Sequence, residues 1–195
     1  MQKPPPSDLV IRREVDVAAL AVLDDPSRAE DEGYLEGNRS YADLRGMNWG
    51  QVAAALQRER ELIARLLAAP DIDAEAELIE EERLEAFEDP LFGLDVGVAS
   101  ATLALSAMGC TPFSSCNGAM LGGFHNASHP VVALYLPAEV VPAALAAART
   151  AEAGLILDLE GRGRLYAGQV EPMVRFAEAA VEQARGEGAE RWGRP

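Results

Sequence analysis

The chain has 195 residues, of which 49% are hydrophobic and 25% charged, a balance typical of a folded globular protein rather than a disordered chain. Its net charge of −15 at pH 7 argues against nonspecific binding to nucleic acids or to anionic membrane surfaces. Two cysteines are too few for a disulfide framework, and no secretory signal pattern follows the N-terminal prolines, so we expect a cytoplasmic protein.

The charge is distributed unevenly along the chain. Residues 1–95 carry 10 basic and 23 acidic side chains, whereas residues 96–138 carry none of either kind. The apolar run Val96–Met108 is shorter than the roughly 20 residues of a membrane-spanning helix, so we interpret the uncharged segment as buried core. This division predicts three parts: an acidic helical region over 1–90, an α+β domain over 91–187 and a flexible tail over 188–195.

The acidic region is predicted to contain four helices, separated by turn-like stretches. Asn48, with Gln51 three residues later, has the pattern of a capping box at the start of one helix. Asp73 is expected to open another, because an acidic side chain stabilises the positive end of the helix dipole. The predicted helices cover Val15–Leu23, Tyr41–Arg45, Trp49–Ala69 and Ala74–Phe87.

The second half alternates between helix and strand patterns. Small and apolar residues after Asp95 predict a helix that ends at Met108, before Gly109. The strands that follow are predicted over Thr111–Cys116, Val131–Leu136, Leu155–Glu160 and Arg164–Ala167, and the helices over Pro137–Ala153 and Val170–Arg185. The order α-β-β-α-β-β-α predicts an α+β fold, in which helices cover a small mixed or antiparallel sheet of about four strands.

Both cysteines and both histidines of the chain lie inside the uncharged segment, at Cys110, Cys116, His125 and His129. Their spacing does not favour a zinc site with four protein ligands, because an extended strand over Thr111–Cys116 separates the two cysteines by roughly 20 Å. We therefore interpret Cys110 as a thiol packed in the core.

The other three side chains are expected to converge. If the strands on either side of the loop pair as a hairpin, Cys116 and His129 lie at neighbouring strand ends, with His125 between them. A thiol beside an imidazole can act as a nucleophile, so these three are the candidate catalytic residues. The same atoms could hold a metal ion such as zinc in an open site. The residues expected to bind a substrate are Ser114, Asn117, Gly118 and Asn126.

Other interpretations stay open at this point. The Cys/His cluster could be structural, with a buried thiol and solvent-facing histidines. The acidic helices could form a protein-interaction module, such as an inhibitor or antitoxin, that presents carboxylates to a basic partner. Arg162 and Arg164 could bind an anionic ligand, and Asp158 with Glu160 could form a carboxylate pair, although solvent-exposed faces explain both sets more simply.

The run Ser114-Ser115-Cys116-Asn117-Gly118 resembles the S-S-C-S-G motif of the methyltransferase family of tRNA wybutosine synthesis. The likeness extends over Asp95 to Ala153 and depends on these five positions, of which Asn117 replaces a serine. It implies a compact α/β fold that acts on a modified guanosine with S-adenosylmethionine. It also implies a pocket for a small molecule at the same strand end.

Overall fold

The computed structural model describes residues 8–23, 44, 46–86, 88–122 and 127–186. Within these residues the strands are β1 (Arg13–Glu14), β2 (Thr111–Cys116), β3 (Val131–Tyr135), β4 (Gly154–Leu157) and β5 (Gly163–Tyr166). The α-helices are α1 (Trp49–Ala68), α2 (Ile72–Glu85), α3 (Ala99–Ala107), α4 (Val141–Ala151) and α5 (Val170–Gly186). A short 3-10 helix, Val17–Ala19, follows β1.

The strands form one mixed sheet in the order β1-β4-β5-β3-β2. β1 runs parallel to β4, and the other neighbours are antiparallel. The predicted α+β fold, with a sheet covered by helices, is confirmed. The described sheet has five strands rather than about four, because the N-terminal segment adds β1 at one edge.

One face of the sheet, here called the inner face, packs against the helices. Val132, Leu134, Leu155 and Leu165 point to this face and are fully buried in a core to which all five helices contribute. Helix α3 is buried on every side, because each of its nine residues lies below the surface. That burial is the physical reason for the absence of charge in this segment, since a charged side chain there would lose its hydration.

The opposite face, here called the outer face, has a smaller apolar cluster. The rings of Phe113 and Tyr135 lie 5.4 Å apart and pack against Ala21 and Leu23 of the N-terminal segment. This cluster covers the end of the outer face where β2 begins. The other end, where β2 finishes at Cys116, carries the candidate site.

The N-terminal segment differs from its predicted structure. The helix predicted over Val15–Leu23 is wrong except for one 3-10 turn, because tertiary contacts draw this segment onto the sheet. The Tyr166 hydroxyl donates to the carbonyl oxygen of Val10 at 2.9 Å and accepts from the N–H of Arg12 at 2.9 Å. The predicted short helix over Tyr41–Arg45 falls largely outside the described residues.

Capping side chains determine where the first two helices begin. Asn48 and Gln51 form the predicted capping box, with both hydrogen bonds at 3.0 Å. Helix α2 begins one residue earlier than Asp73, because the Asp71 side chain accepts from two amides of its first turn.

None of the described helices combines the length and the apolar character that crossing a bilayer requires.

Candidate functional site

Cys116 lies in a row of residues that crosses one end of the sheet. It pairs with Val131 of β3, which pairs with Tyr166 of β5, which in turn pairs with Gly154 of β4. Directly opposed residues in neighbouring strands point to the same face, so these four share the outer face. Gly154 is required here, because the Tyr166 ring occupies the space that a Cβ would fill.

His129 lies at the same end of the sheet, two residues before β3 begins. Its ring contacts the Tyr166 ring edge-on, with centroids 5.9 Å apart and an interplanar angle of 67°. The Ser128 hydroxyl lies 3.0 Å from Nδ1. Partial burial, and then the positive charge of Arg164, lower the pKa of the imidazole. His129 is therefore held largely as the neutral base at neutral pH.

A tight turn follows Cys116 and contacts His129. Gly118 and Ala119 both have positive φ, +68° and +56°, and the N–H of Met120 donates to the carbonyl oxygen of Asn117 at 3.3 Å. A Cβ on Gly118 would lie 2.6 Å from backbone atoms of His129, so the turn packs directly against that residue. The N–H of Gly118 also donates to the Cys116 sulfur at 3.4 Å.

Asn117 anchors this turn to the segment just before α3. Its side-chain NH₂ donates to the carbonyl oxygen of Val96 at 2.9 Å, and its side-chain oxygen accepts from the N–H of Ala119 at 2.9 Å. The residue is buried. The structure thus gives both polar side-chain atoms backbone partners, while the predicted contact of Asn117 with a substrate stays a prediction. Ser114 shares the outer face with Cys116 and is half-buried.

Glu59 of α1 is a buried charged residue that the sequence patterns did not single out. It is 0% exposed, and its carboxylate accepts from the backbone N–H groups of Gly97, Ala99 and Ser100 at 2.8, 2.9 and 3.1 Å. The Ser100 hydroxyl also donates to it. Burial raises the pKa of the Glu59 carboxyl, and these hydrogen bonds act in the opposite direction.

Glu59 acts as the N-cap that α3 lacks in its own sequence. Val98 stands at the N-cap position and provides no side-chain hydrogen bond. The predicted cap, Asp95, is not the N-cap residue, although its carboxylate accepts from the N–H of Asn117 at 3.4 Å. Contacts therefore continue from Glu59, through the start of α3 and Asn117, to the turn that packs on His129.

The remaining predicted residues are Cys110, His125 and Asn126. Cys110 is buried, as predicted for a core thiol, and burial raises its pKa, with Glu139 adding to the rise. His125 and Asn126 lie outside the described residues. Among the residues that the structure describes, no group of three or more His, Cys, Asp or Glu side chains could hold a metal ion. The Cys116–His125–His129 metal site thus stays a prediction.

The two hairpin arginines have different surroundings. Arg162 is buried, with Nε 2.9 Å from Asp158 and its guanidinium 5.5 Å from the Phe113 ring centre. Burial alone would raise the pKa of Asp158, but hydrogen bonds from the backbone amides of Arg162 and Glu160 and from the Arg162 side chain outweigh it and lower that pKa. The side chain of Arg164 is 49% exposed.

An open groove with a volume of about 650 Å³ lies at the opposite edge of the sheet. Its lining includes residues of β1 and the 3-10 helix, Leu145 of α4, and Ile156 and Leu157 of β4. None of the predicted site residues lines it. Both arginine and acidic side chains line this groove, so its charge does not favour either an anionic or a cationic ligand.

No family model, no curated protein and no solved structure matched the chain in the three comparisons.

We expect His129 to titrate below the usual histidine pKa of about 6.5. Because the fold favours the neutral imidazole, its contribution to stability is present above that value and is lost as the pH falls through the lowered pKa. NMR of the ring protons against pH, assigned with the variant His125→Gln, measures this pKa. A value at or above 6.5 would contradict the burial of the ring beside Arg164.

Ala119→Gly is expected to stabilise the protein by about 0.5–1 kcal/mol. A left-handed alanine is strained by about 1–2 kcal/mol, and part of that gain is offset by the greater freedom of glycine in the unfolded chain. Urea denaturation measures the change. Ala86→Gly is the matched control, because Ala86 has an ordinary φ of −68°. If the two variants are equally stable, Ala119 is not strained.

Proposed function

We propose that the protein binds a small ligand or a metal ion through its Cys/His cluster, at the Cys116–His129 end of the outer face, and acts on the ligand as an enzyme. In this proposal Cys116 is the nucleophile or metal ligand, and His129 is the base. Ser114 and the turn at Asn117–Gly118 contact the substrate. His125 and Asn126 would complete the site from the loop between the strands.

One observation carries the proposal: Cys116 and His129 lie at the same end of the sheet, where Gly118, two residues after Cys116, packs on the backbone of His129. A neutral imidazole can accept the thiol proton, which leaves an imidazolium and a thiolate beside it. The thiolate can then form a bond to an electrophilic carbon of the ligand, and the imidazolium can return the proton to the leaving group. A reducing cytoplasm would keep the thiol competent for this chemistry.

The S-S-C-N-G segment adds S-adenosylmethionine as one candidate ligand, through its likeness to the wybutosine methyltransferase motif. The net charge of −15 argues against a tRNA partner at the same surface. A small molecule is therefore the preferred occupant.

Native mass spectrometry with metal analysis tests the proposal. The purified wild-type protein should carry a small molecule or metal ion, which Cys116→Ser and His129→Phe should each remove without a large fall in Tm. Cys110→Ala is the matched control, because it removes the other thiol from the buried core. The proposal fails if the purified protein carries neither a small molecule nor a metal ion, or if occupancy is unchanged in both site variants. A titration with S-adenosylmethionine tests that one candidate ligand alone.

A second candidate function, the acidic protein-interaction module, is favoured by the exposure of α2. This helix buries only Ile79, while Glu77, Glu80 and Glu81 are exposed, as is Leu84 at 80%. Such a face suits a basic partner protein. The triple variant Glu77→Gln, Glu80→Gln, Glu81→Gln should lose a co-purifying basic protein that wild type retains at low salt and releases at high salt. Equal retention by both proteins would contradict this function.

A further inference from the structure

The arginine that stays on the outer face is Arg164. Arg162, two residues earlier, is held inside the hairpin by Asp158 and lies 2.9 Å from Glu160. The Arg164 guanidinium lies 3.8 Å from Asp158 and is half exposed. Sequence alone does not separate the two residues, whereas the structure leaves one of them beside the candidate site.

Arg164 lies two rows from Cys116, in the next row whose side chains share the outer face. It pairs with Ala133, and Ala133 pairs with Ser114. Since neighbouring strands lie about 4.8 Å apart, the backbones of Ser114 and Arg164 are roughly 10 Å apart. Ala133 lies between them, and Val131, two residues earlier on β3, lies between Cys116 and Tyr166. Both β3 side chains are half-buried. These residues form a shallow apolar floor with a hydroxyl and a thiol on one side and a cation on the other.

We propose that the ligand of this site is a small anion whose carboxylate or phosphate group binds Arg164, while its remainder lies over Val131 and Ala133 toward Cys116. The inference builds on the proposed function and specifies its ligand class. A guanidinium presents paired donors that match both acidic groups. The net charge of −15 repels anions from the molecule as a whole, so the half-exposed Arg164 provides the local positive charge that an anion needs to bind on the outer face.

His129 provides the readout in protein freed of metal with a chelator, because burial and then the positive charge of Arg164 lower the pKa of its imidazole. Arg164→Gln should raise the His129 pKa, since a nearby positive charge is removed. Inorganic phosphate or propionate, titrated at constant ionic strength, should raise the same pKa saturably in wild type, by about 0.5 or more at saturation. Neither anion should have this effect in Arg164→Gln. The control Arg149→Gln removes an exposed arginine from α4 and should behave as wild type.

The two anions distinguish the ligand's acidic group: saturation by phosphate alone indicates a phosphorylated ligand, and saturation by propionate indicates a carboxylate. If neither anion moves the His129 pKa in wild type, or if both move it equally in Arg164→Gln, the anion proposal is overturned. The proposed function can survive that outcome, because its own test is occupancy lost in Cys116→Ser and His129→Phe.

Discussion

Glu59→Ala is expected to destabilise the protein by about 3–5 kcal/mol. The substitution leaves three backbone N–H groups and the Ser100 hydroxyl without their acceptor in an interior from which water is excluded. It also leaves a cavity between α1 and α3. Chemical denaturation measures the loss, and Glu61→Ala, at an exposed position on the same helix, is the control.

The variant Glu59→Gln removes the carboxylate but keeps the volume of the side chain. Its amide nitrogen faces hydrogen-bond donors, so a loss of about 1–3 kcal/mol is expected without a cavity. Burial raises the Glu59 pKa, so the stability linked to its proton is present at low pH and is lost as the pH rises through the raised value. Glu59→Gln should remove that part of the pH dependence. A variant as stable as Glu61→Gln at every pH would contradict the capping role.

Gly118→Ala is expected to destabilise the protein by about 2–4 kcal/mol and to displace His129 from the site. The positive φ alone strains an alanine by about 1–2 kcal/mol. The rest comes from the His129 backbone, which lies 2.6 Å from the new Cβ and has no flexible side-chain end to move away.

Gly93→Ala is the matched control for Gly118→Ala. Gly93 has a similar φ of +75°, but a Cβ there would meet nothing within 4 Å. Gly93→Ala should therefore lose only the part of the stability that the positive φ accounts for. Comparing urea midpoints, together with the NMR signal of His129, separates backbone strain from the contact. Equal losses of stability in the two variants, with an unchanged His129 signal, would show that a side chain at position 118 does not contact the histidine.

Much of the fold could be predicted because local patterns and tertiary packing agree. The β2 strand, Thr111–Cys116, begins and ends as predicted, since glycine and an Asn-Gly turn bound it. The β1 strand could not be predicted from local pattern. It has two residues, and its position depends on Tyr166, more than 150 residues away in sequence.

The site was predictable in part for the same reason. Hairpin pairing of β2 with β3 brings Cys116 and His129 to one end of the sheet, which follows from strand order alone. The anchoring of Asn117 on Val96 is a long-range contact that no spacing indicates. Glu59 did leave a signal, because it interrupts the apolar face of α1 between Leu56 and Leu62. A carboxylate at such a position needs buried donors, and the uncapped start of α3 provides them.

The most direct test of the account is the pH profile of Cys116 alkylation by iodoacetamide, in wild type and in His129→Phe. The phenyl ring keeps the contact with Tyr166 but cannot accept a proton. We predict that wild type reacts faster near neutral pH, with an inflection that follows the His129 titration, while buried Cys110 stays unmodified. Identical Cys116 profiles in the two proteins would contradict the claim that the His129 imidazole accepts the proton of the Cys116 thiol.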